Sequence, residues 1–508
     1  MRSLYINASI YQQKATKFSV LDGHFDAFYE GLPDGTFDEV IDLNHDTVLP
    51  GFNDSHGHFL GLMYIQRQIS LDGVSTLKGV QEKIAKEQTL VRASHFNELG
   101  FETNALLDRD TLDGLRADIP VLVLRVCGHI LMANSKATAM IEAAVGLKQP
   151  NEKFDFARGI FYEEAISEAL KVFLDPSQDA IEDDLKAGEA LCFEQGITSF
   201  QTDDFVTYPV PYERIIKAYE ALSDTLKIRI QQQCHLNTLA LLDDFLAKGY
   251  AHARYGRTVM GPSKLLVDGS LGGKTAAMHA PYVNTENKGI LNFDQATLEA
   301  YITRLNAADM DLSWHAIGDR ASAVILNAIE AVPLRQTHRH ALIHAQLTGQ
   351  AEITKMQRLN VGAMIQPIFL DDDIPILKRT LGAKASDTYL FKTLYDTVPT
   401  ALSTDAPIVP LSPLRNIYTA VTRKSIKHPS VGPHLKDQAL SIEEAIDGYT
   451  KGGAYFMRDD QLGALKPGYK ADFTVIKQLD LTDIESFLTA KVVMTTVHGE
   501  RVFERSSA

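Results

Sequence analysis

Apolar strand-like runs alternate with helical patterns through the middle of this 508-residue chain. A strand, a helix and a second strand form the repeating unit of a parallel sheet. This many units favours a closed (β/α)₈ barrel over an open sheet. The runs are PVLVLRV at 120–126, GITSFQT at 196–202, KIRIQQQCH at 227–235, SKLLVDG at 263–269, DLSWHA at 311–316, HALIHAQ at 340–346, NVGAMIQP at 360–367 and TALSTDAP at 400–407.

Both ends of the chain contain short β segments separated by turns, such as SLYINASIY near the start and KVVMTTVHG near the end. Asp-Gly and Pro-Gly pairs mark several of these turns. We therefore predict a distorted (β/α)₈ TIM barrel over residues 51–455, with an insertion at about 75–150. Residues 1–50 and 456–508 are predicted to form a small β-sandwich together.

Charge and cysteine usage limit the class of protein. The net charge of −15 argues against a nucleic-acid or anionic-membrane partner. Cys127, Cys192 and Cys234 are widely spaced and form no C-x-x-C pair, which favours a reducing compartment. The N-terminus lacks the features of a signal peptide, and no apolar run is long enough to span a bilayer. We expect a cytoplasmic enzyme with a small-molecule substrate, and a homodimer by base rate.

The stretch VLPGFNDSHGHFL at 48–60 ends an apolar run with His-Gly-His. In an extended strand, residues i and i+2 point to the same face, so His56 and His58 lie side by side. Imidazole is the commonest protein ligand for zinc and similar metals, and Gly57 keeps the position between them free of bulk. This motif alone is a weak sign of a metal site.

Further residues of the kind that bind metals stand at the ends of later strand-like runs. Lys264 lies in SKLLVDG, His315 ends DLSWHA, His344 ends ALIHA, and Asp405 follows TALST. Active sites of (β/α)₈ barrels are assembled at the carboxyl ends of the strands. The pattern therefore predicts that these side chains meet His56 at one rim.

Motifs along almost the whole chain resemble the amidohydrolase superfamily, and within it the branch of predicted amidohydrolases that includes N-substituted formamide deformylase. They occur in the family's order. The motifs are VLPGFNDSHGHF, GHILMANSKA, GITSFQTDD, SKLLVDGSLGGKTAA, HAIGDRA, LIHAQ, STDAP, LSIEEAIDGYTKGGAY and LGALKPGYKADFTVI. One departure is Gln201-Thr202, where the family usually has a histidine followed by aspartate.

The resemblance implies a centre of one or two divalent metal ions. Zinc is the first expectation, with iron or manganese as alternatives. In the binuclear members a carboxylated lysine bridges the ions, and Lys264 occupies the matching place. The implied ligands are His56, His58, Lys264, His315, His344 and Asp405.

The implied reaction is hydrolysis of an amide or related C–N bond, with Asp405 moving the proton beside the attacking water. Two alternatives stay open: a ring deaminase of the same superfamily, and a metal-free relative that acts as a binding or assembly protein. The first usually has helper histidine and glutamate residues that HAIGDRA and LIHAQ do not show. The second should have lost metal ligands.

Candidate substrate-binding residues lie outside this ligand set. The GHILMANSKA segment resembles part of the family's inserted region, which reaches towards the site, so His129 is expected to bind substrate or to stabilise an oxyanion. The complete set of candidates is His129, Asn134, Glu163, Asp204 and Arg320.

Overall fold

The computed structural model describes residues 1–145 and 153–505. Its strands are β1 (Arg2–Ile6), β2 (Ser9–Ile10), β3 (Lys17–Leu21), β4 (His24–Tyr29), β5 (Glu39–Asp42), β6 (Thr47–Pro50), β7 (Phe52–Gly57), β8 (Ile69–Ser70), β9 (Val91–Phe96), β10 (Val121–Arg125), β11 (Ile130–Ala133), β12 (Phe154–Asp155), β13 (Ile160–Tyr162), β14 (Ile197–Thr202), β15 (Arg229–His235), β16 (Arg254–Tyr255), β17 (Thr258–Lys264), β18 (Ser313–Ala316), β19 (Ala341–His344), β20 (Gly362–Ile365), β21 (Thr400–Leu402), β22 (Phe473–Lys477), β23 (Lys491–Val497) and β24 (Glu500–Glu504).

The α-helices are α1 (Phe59–Gln66), α2 (Leu77–Ile84), α3 (Arg109–Leu115), α4 (Ser135–Val145), α5 (Glu164–Leu170), α6 (Gln178–Glu194), α7 (Tyr212–Ala221), α8 (Leu239–Ala247), α9 (Gln295–Ala307), α10 (Asp319–Ala331), α11 (Gln350–Leu359), α12 (Leu370–Leu381), α13 (Phe391–Thr397), α14 (Pro413–Thr422), α15 (Ile442–Asp447) and α16 (Gly453–Phe456). Short 3₁₀ segments lie at Glu98–Gly100, Pro367–Phe369, Gly382–Asp387, Lys436–Gln438 and Ile484–Leu488, and a π-helical turn lies at Gly448–Gly452.

Two parallel sheets form the centre of this mixed α/β protein. One contains β7, β14, β15 and β17 side by side, with the short β16 antiparallel at its edge, and the other contains β18 to β21 in chain order. Every residue of β7, β14 and β20 is buried. Both faces of these strands are therefore covered, as is usual for parallel sheets, and their polar side chains need partners inside the protein.

Three of the helices between these strands begin at a residue whose side chain caps the free N–H groups of the first turn. The side chains of Ser177, Thr238 and Asp294 each accept a hydrogen bond from the N–H group three residues later, at the starts of α6, α8 and α9. Such caps typically contribute about 1 kcal/mol each. The strand-helix alternation predicted from the sequence is therefore present.

Hydrogen bonds also join the two parallel sheets to each other at both edges. At one edge, isolated bridges connect Ser263 with Leu312 and Leu266 with His315, next to β17 and β18. At the other, the backbone N–H of Asp405 donates to the carbonyl of His56, 2.9 Å away. The last parallel strand thus lies against the first.

A six-stranded sheet in the order β12-β13-β11-β10-β9-β8 stands apart from the central sheets and has its own apolar core. The run at 120–126 was counted among the strands of the parallel sheet, although it falls within the insertion expected at about 75–150, and the structure places β10 in this separate sheet. The reason is that a short apolar run buried on both faces shows the same pattern in either sheet.

The two ends of the chain build two further sheets. Strands β4-β3-β1-β5 form the first, and β2-β6-β22-β23-β24, taken from both ends, form the second. The ring of Phe473 in β22 meets the rings of Tyr5, Phe18 and Phe25 at centroid distances of 5.1, 5.2 and 5.9 Å. An aromatic cluster therefore joins the N-terminal sheet to the C-terminal strands.

Among residues 1–145 and 153–505, none of the helices has both the length and the apolar character that crossing a bilayer requires.

Replacing Phe473 tests whether this aromatic cluster stabilises the fold. We expect Phe473→Ala to lower the free energy of unfolding by about 3–5 kcal/mol, because it leaves a cavity among three rings. Phe473→Leu should lower the free energy of unfolding by a smaller amount. Leu32→Ala, at a side chain that is 92% exposed, should change it by less than about 0.5 kcal/mol. Equilibrium urea unfolding measures all three, and equal stabilities would show that the cluster contributes nothing.

Candidate metal centre

His56, His58 and Asp405 meet where β7 ends and β21 leads into a loop. Nε2 of His56 and Nε2 of His58 each lie 3.3 Å from Oδ1 of Asp405. This oxygen is buried and accepts no well-oriented hydrogen bond from the described residues. An unsatisfied buried carboxylate oxygen is costly, so the position calls for a cation or another donor.

His344 completes the group from the end of β19. One ligand-type atom from each of His56, His344 and Asp405 lies within 4.8 Å of the others. His344 and Asp405 both have positive φ values, 75° and 64°, which are strained for residues with a side chain. Such strain is typical of functional sites.

Two imidazoles and a carboxylate are a donor set that divalent metals such as zinc accept. The chemistry of these side chains therefore fits a metal ion. Burial lowers the pKa of His56 and of His344 well below the usual value, and the neighbouring Lys264 lowers both further. Both rings are thus neutral at pH 7, as coordination requires.

His58 is electrostatically different from its neighbour. Burial lowers its pKa, but the carboxylate of Asp405, 3.3 Å from its Nε2, outweighs burial and raises the pKa overall. Its Nδ1 lies 3.0 Å from the main-chain oxygen of Asp203, which directs Nε2 towards Asp405.

Lys264 reaches the same group from the end of β17. Its Nζ lies 3.2 Å from Nε2 of His56, and the residue is only 1% exposed. Burial lowers the pKa of its amine to about 8, although the negative charges of Asp203 and Asp405 oppose this change. A buried amine with this pKa is partly uncharged near neutral pH.

His315 lies beside His344, with ring centroids 4.4 Å apart, and its Nε2 edge faces the loop after β17. Its Nε2 lies 3.0 Å from the carbonyl oxygen of Gly269 and 3.3 Å from Oδ1 of Asp268. Asp268 in turn accepts three backbone N–H groups. The loop after β17 therefore holds the Nε2 edge of His315, and Nδ1 is the nitrogen left for a ligand.

His129 and Glu163 form a pair at the edge of the inserted sheet. Nδ1 of His129 lies 2.7 Å from Oε2 of Glu163, and the His129 ring lies 5.4 Å from that of His315. Burial lowers the pKa of His129, but the charge of Glu163 outweighs it and raises the pKa to about 9. The insertion thus delivers a positively charged group next to the histidine cluster.

Three predicted substrate-binding residues have other roles. The Asn134 amide accepts from two backbone N–H groups and donates to two backbone carbonyls, so it holds the insertion together. Asp204 is buried and accepts the Leu60 N–H and two hydroxyl groups. The Arg320 side chain is exposed and has no ion pair or hydrogen bond in the described part of the chain. A motif does not show which polar side chains the backbone already uses, and a substrate-binding role for Asn134, Asp204 and Arg320 stays a prediction.

Two glutamines that the sequence analysis missed contact the histidines directly. Oε1 of Gln233 lies 2.6 Å from Nδ1 of His56, and Oε1 of Gln366 lies 2.8 Å from Nδ1 of His344. A signal was available in KIRIQQQCH, where consecutive glutamines occupy a buried strand. Buried amides require hydrogen-bond partners, and the amide of Gln233 has its partner in the histidine cluster.

Metal analysis of variants tests this centre. We expect His344→Ala to lose most of the zinc that wild type retains after dialysis, because it removes one of three converging ligand atoms. His434→Ala is a suitable control, since its ring bonds Thr388 and is not part of the cluster. Equal zinc contents by elemental analysis in all three proteins would place the metal elsewhere.

Comparison with known proteins agrees with this geometry. A model described as "Amidohydrolase family" matches residues 39–503. YtcJ of Bacillus subtilis (strain 168) is 31% identical over 503 residues, covering 92% of this chain and 91% of that protein. N-substituted formamide deformylase of Arthrobacter pascens is 23% identical over 225 residues, covering 42% of this chain and 41% of that enzyme.

Solved structures show the same fold. A crystal structure of a metal-dependent hydrolase from Pyrococcus horikoshii OT3 has a TM-score of 0.76 at 23% identity, with 96% of this chain and 99% of that chain covered. The family match spans most of the sequence. This chain belongs to the amidohydrolase family.

Proposed function

We propose that the protein is a metal-dependent amidohydrolase that hydrolyses an amide or related C–N bond of a small molecule. The observation that carries the proposal is the convergence of His56, His344 and Asp405 from three separate strand ends. The likeness to N-substituted formamide deformylase supports the choice of bond. His58, His315 and Lys264 are the further proposed ligands.

A divalent ion held here would lower the pKa of a bound water to near 7 and polarise the carbonyl under attack. The chain's own contribution is proton handling and orientation. Asp405 Oδ1 is unsatisfied and faces His56 and His58, so it is placed to take a proton from water. It can then pass that proton to the leaving nitrogen.

We also propose that Lys264 is carboxylated. The neutral form of the amine can attack carbon dioxide: an N–C bond forms, one C=O π bond opens to give a carboxylate oxygen, and the proton lost from nitrogen passes to water. The product replaces a positive charge beside His56 with an anionic group that has two oxygen donors. This change would remove the repulsion between Lys264 and a cation and would allow a second ion. Zinc is the proposed metal, with iron or manganese as alternatives.

His129 and Glu163 are the proposed substrate contacts, because the pair lies beside His315. The cationic imidazole of His129, next to His315, can bind a carbonyl or carboxylate oxygen of a substrate.

We propose that the parallel strands β7, β14, β15, β17 and β18 to β21 close into the barrel, residues 51–455, and that residues 1–50 and 456–508 form the sandwich. A cytoplasmic homodimer remains part of the proposal.

Asp405→Asn tests the proton-transfer role. We expect kcat to fall by about 10²–10⁴-fold, the usual contribution of general acid–base catalysis, while folding and most of the metal are retained. The assay is a panel of N-formyl, N-acyl and cyclic amides, with elemental analysis of the same samples. Ammonia release from nucleobases without acid release from any amide would instead favour the ring deaminase. No bound metal and no turnover with added Zn²⁺ or Mn²⁺ would favour the non-catalytic binding protein.

Isotope labelling tests the lysine. After incubation with ¹³C-bicarbonate and zinc, wild type should show a carbamate ¹³C resonance that Lys264→Arg lacks. The arginine variant should also bind fewer metal ions per chain. Lys248→Arg, at an exposed lysine paired with Glu213 and Asp244, is the control and should keep the signal. An unlabelled but fully metallated wild type would refute carboxylation.

A further inference from the structure

We infer that Gln233 and Gln366 are positioning residues that fix the tautomers of His56 and His344, so that each ring presents the lone pair of Nε2 to the centre. The inference rests on the proposed function only in that the lone pairs are taken to bind the metal. The tautomers themselves follow from hydrogen-bond partners in the structure.

The orientation of the Gln233 amide is determined by Ser55. Its Nε2 lies 3.0 Å from the main-chain oxygen of Ser55, which can only accept a hydrogen bond. The NH₂ group must therefore face Ser55, and Oε1 must face His56, where it lies 2.6 Å from Nδ1. Because Oε1 can only accept, Nδ1 of His56 carries the hydrogen.

The same reasoning applies to Gln366, which directly follows β20. Its Nε2 donates to the main-chain oxygen of Met364 at 3.1 Å and to the Ser403 hydroxyl at 2.7 Å. Oε1 then lies 2.8 Å from Nδ1 of His344. Since a carbonyl fixes the donor end of this amide as well, Nδ1 of His344 carries the hydrogen.

A neutral imidazole with its hydrogen on Nδ1 has its lone pair on Nε2. Nε2 of His56 lies 3.3 Å from Asp405 Oδ1 and 3.2 Å from Lys264 Nζ, so it is the edge that faces the cluster. Both glutamines are buried, at 0% and 2% exposure, so water does not compete for the amide oxygen.

The choice of amide over carboxylate has a consequence for charge. A carboxylate partner would orient the ring equally well but would add a negative charge to a buried site, which is costly unless it is paired. Gln233 and Gln366 orient their histidines without adding charge. The anionic groups at the centre are then Asp405 and, if it is carboxylated, Lys264.

Zinc affinity tests the inference without any substrate. Gln233→Met and Gln366→Met keep the side-chain length but remove the acceptor, and each should raise the zinc dissociation constant by about 10–100-fold. Gln366→Glu keeps an acceptor for Nδ1 of His344 but loses the donor to the Met364 carbonyl and adds a buried charge, so it should keep more zinc affinity than Gln366→Met. Competition with a chromophoric chelator measures all of these values. Gln231→Met, on the same strand but with its amide 3.4 Å from the Phe456 carbonyl, is the matched control.

Wild-type affinity in both methionine variants, or an equal loss in Gln231→Met, would overturn the inference. Neutron diffraction of the wild-type protein gives a second test that needs no variant to fold. Deuterium should appear on Nδ1 of His56 and His344, and deuterium on Nε2 alone would contradict the account. If wild type binds no zinc, the proposed function fails, while the neutron result still decides the tautomers.

Discussion

The seam between the first and last parallel strands is the constraint on which the site depends. The N–H of Asp405 donates to the carbonyl of His56, and the N–H of His58 donates to the carbonyl of Ala406. These two hydrogen bonds bring residues from opposite ends of the central region into one group. A side-chain hydroxyl, that of Ser55, adds a bond to the Leu402 carbonyl across the same seam.

Burial then determines the charge states of the side chains that meet at this seam. It keeps the imidazoles of His56 and His344 neutral and lowers the pKa of the Lys264 amine to about 8. The orphaned oxygen of Asp405 remains as an acceptor without a donor. An oxygen of this kind is available to a cation, so the chemistry of the ligands, in addition to the family match, supports a metal-dependent reaction.

The sequence predicted those features that follow from strand geometry. Ends of parallel strands share one rim, so His56, His344 and Asp405 could be expected together, and the structure brings them together. The sequence did not reveal that the loop after β17 occupies Nε2 of His315, because that contact depends on a loop carbonyl. Nor did it separate the framework amide of Asn134 from residues available to a ligand, since hydrogen-bond partners distant in the chain are invisible to a motif.

The most direct test of the metal account is a crystal structure of the zinc-loaded protein with anomalous data at the zinc edge. The account predicts a strong peak within about 2.0–2.2 Å of Nε2 of His56, Nε2 of His344 and an oxygen of Asp405. An absence of any peak among these three residues, or a peak at a site that none of them touches, would contradict it.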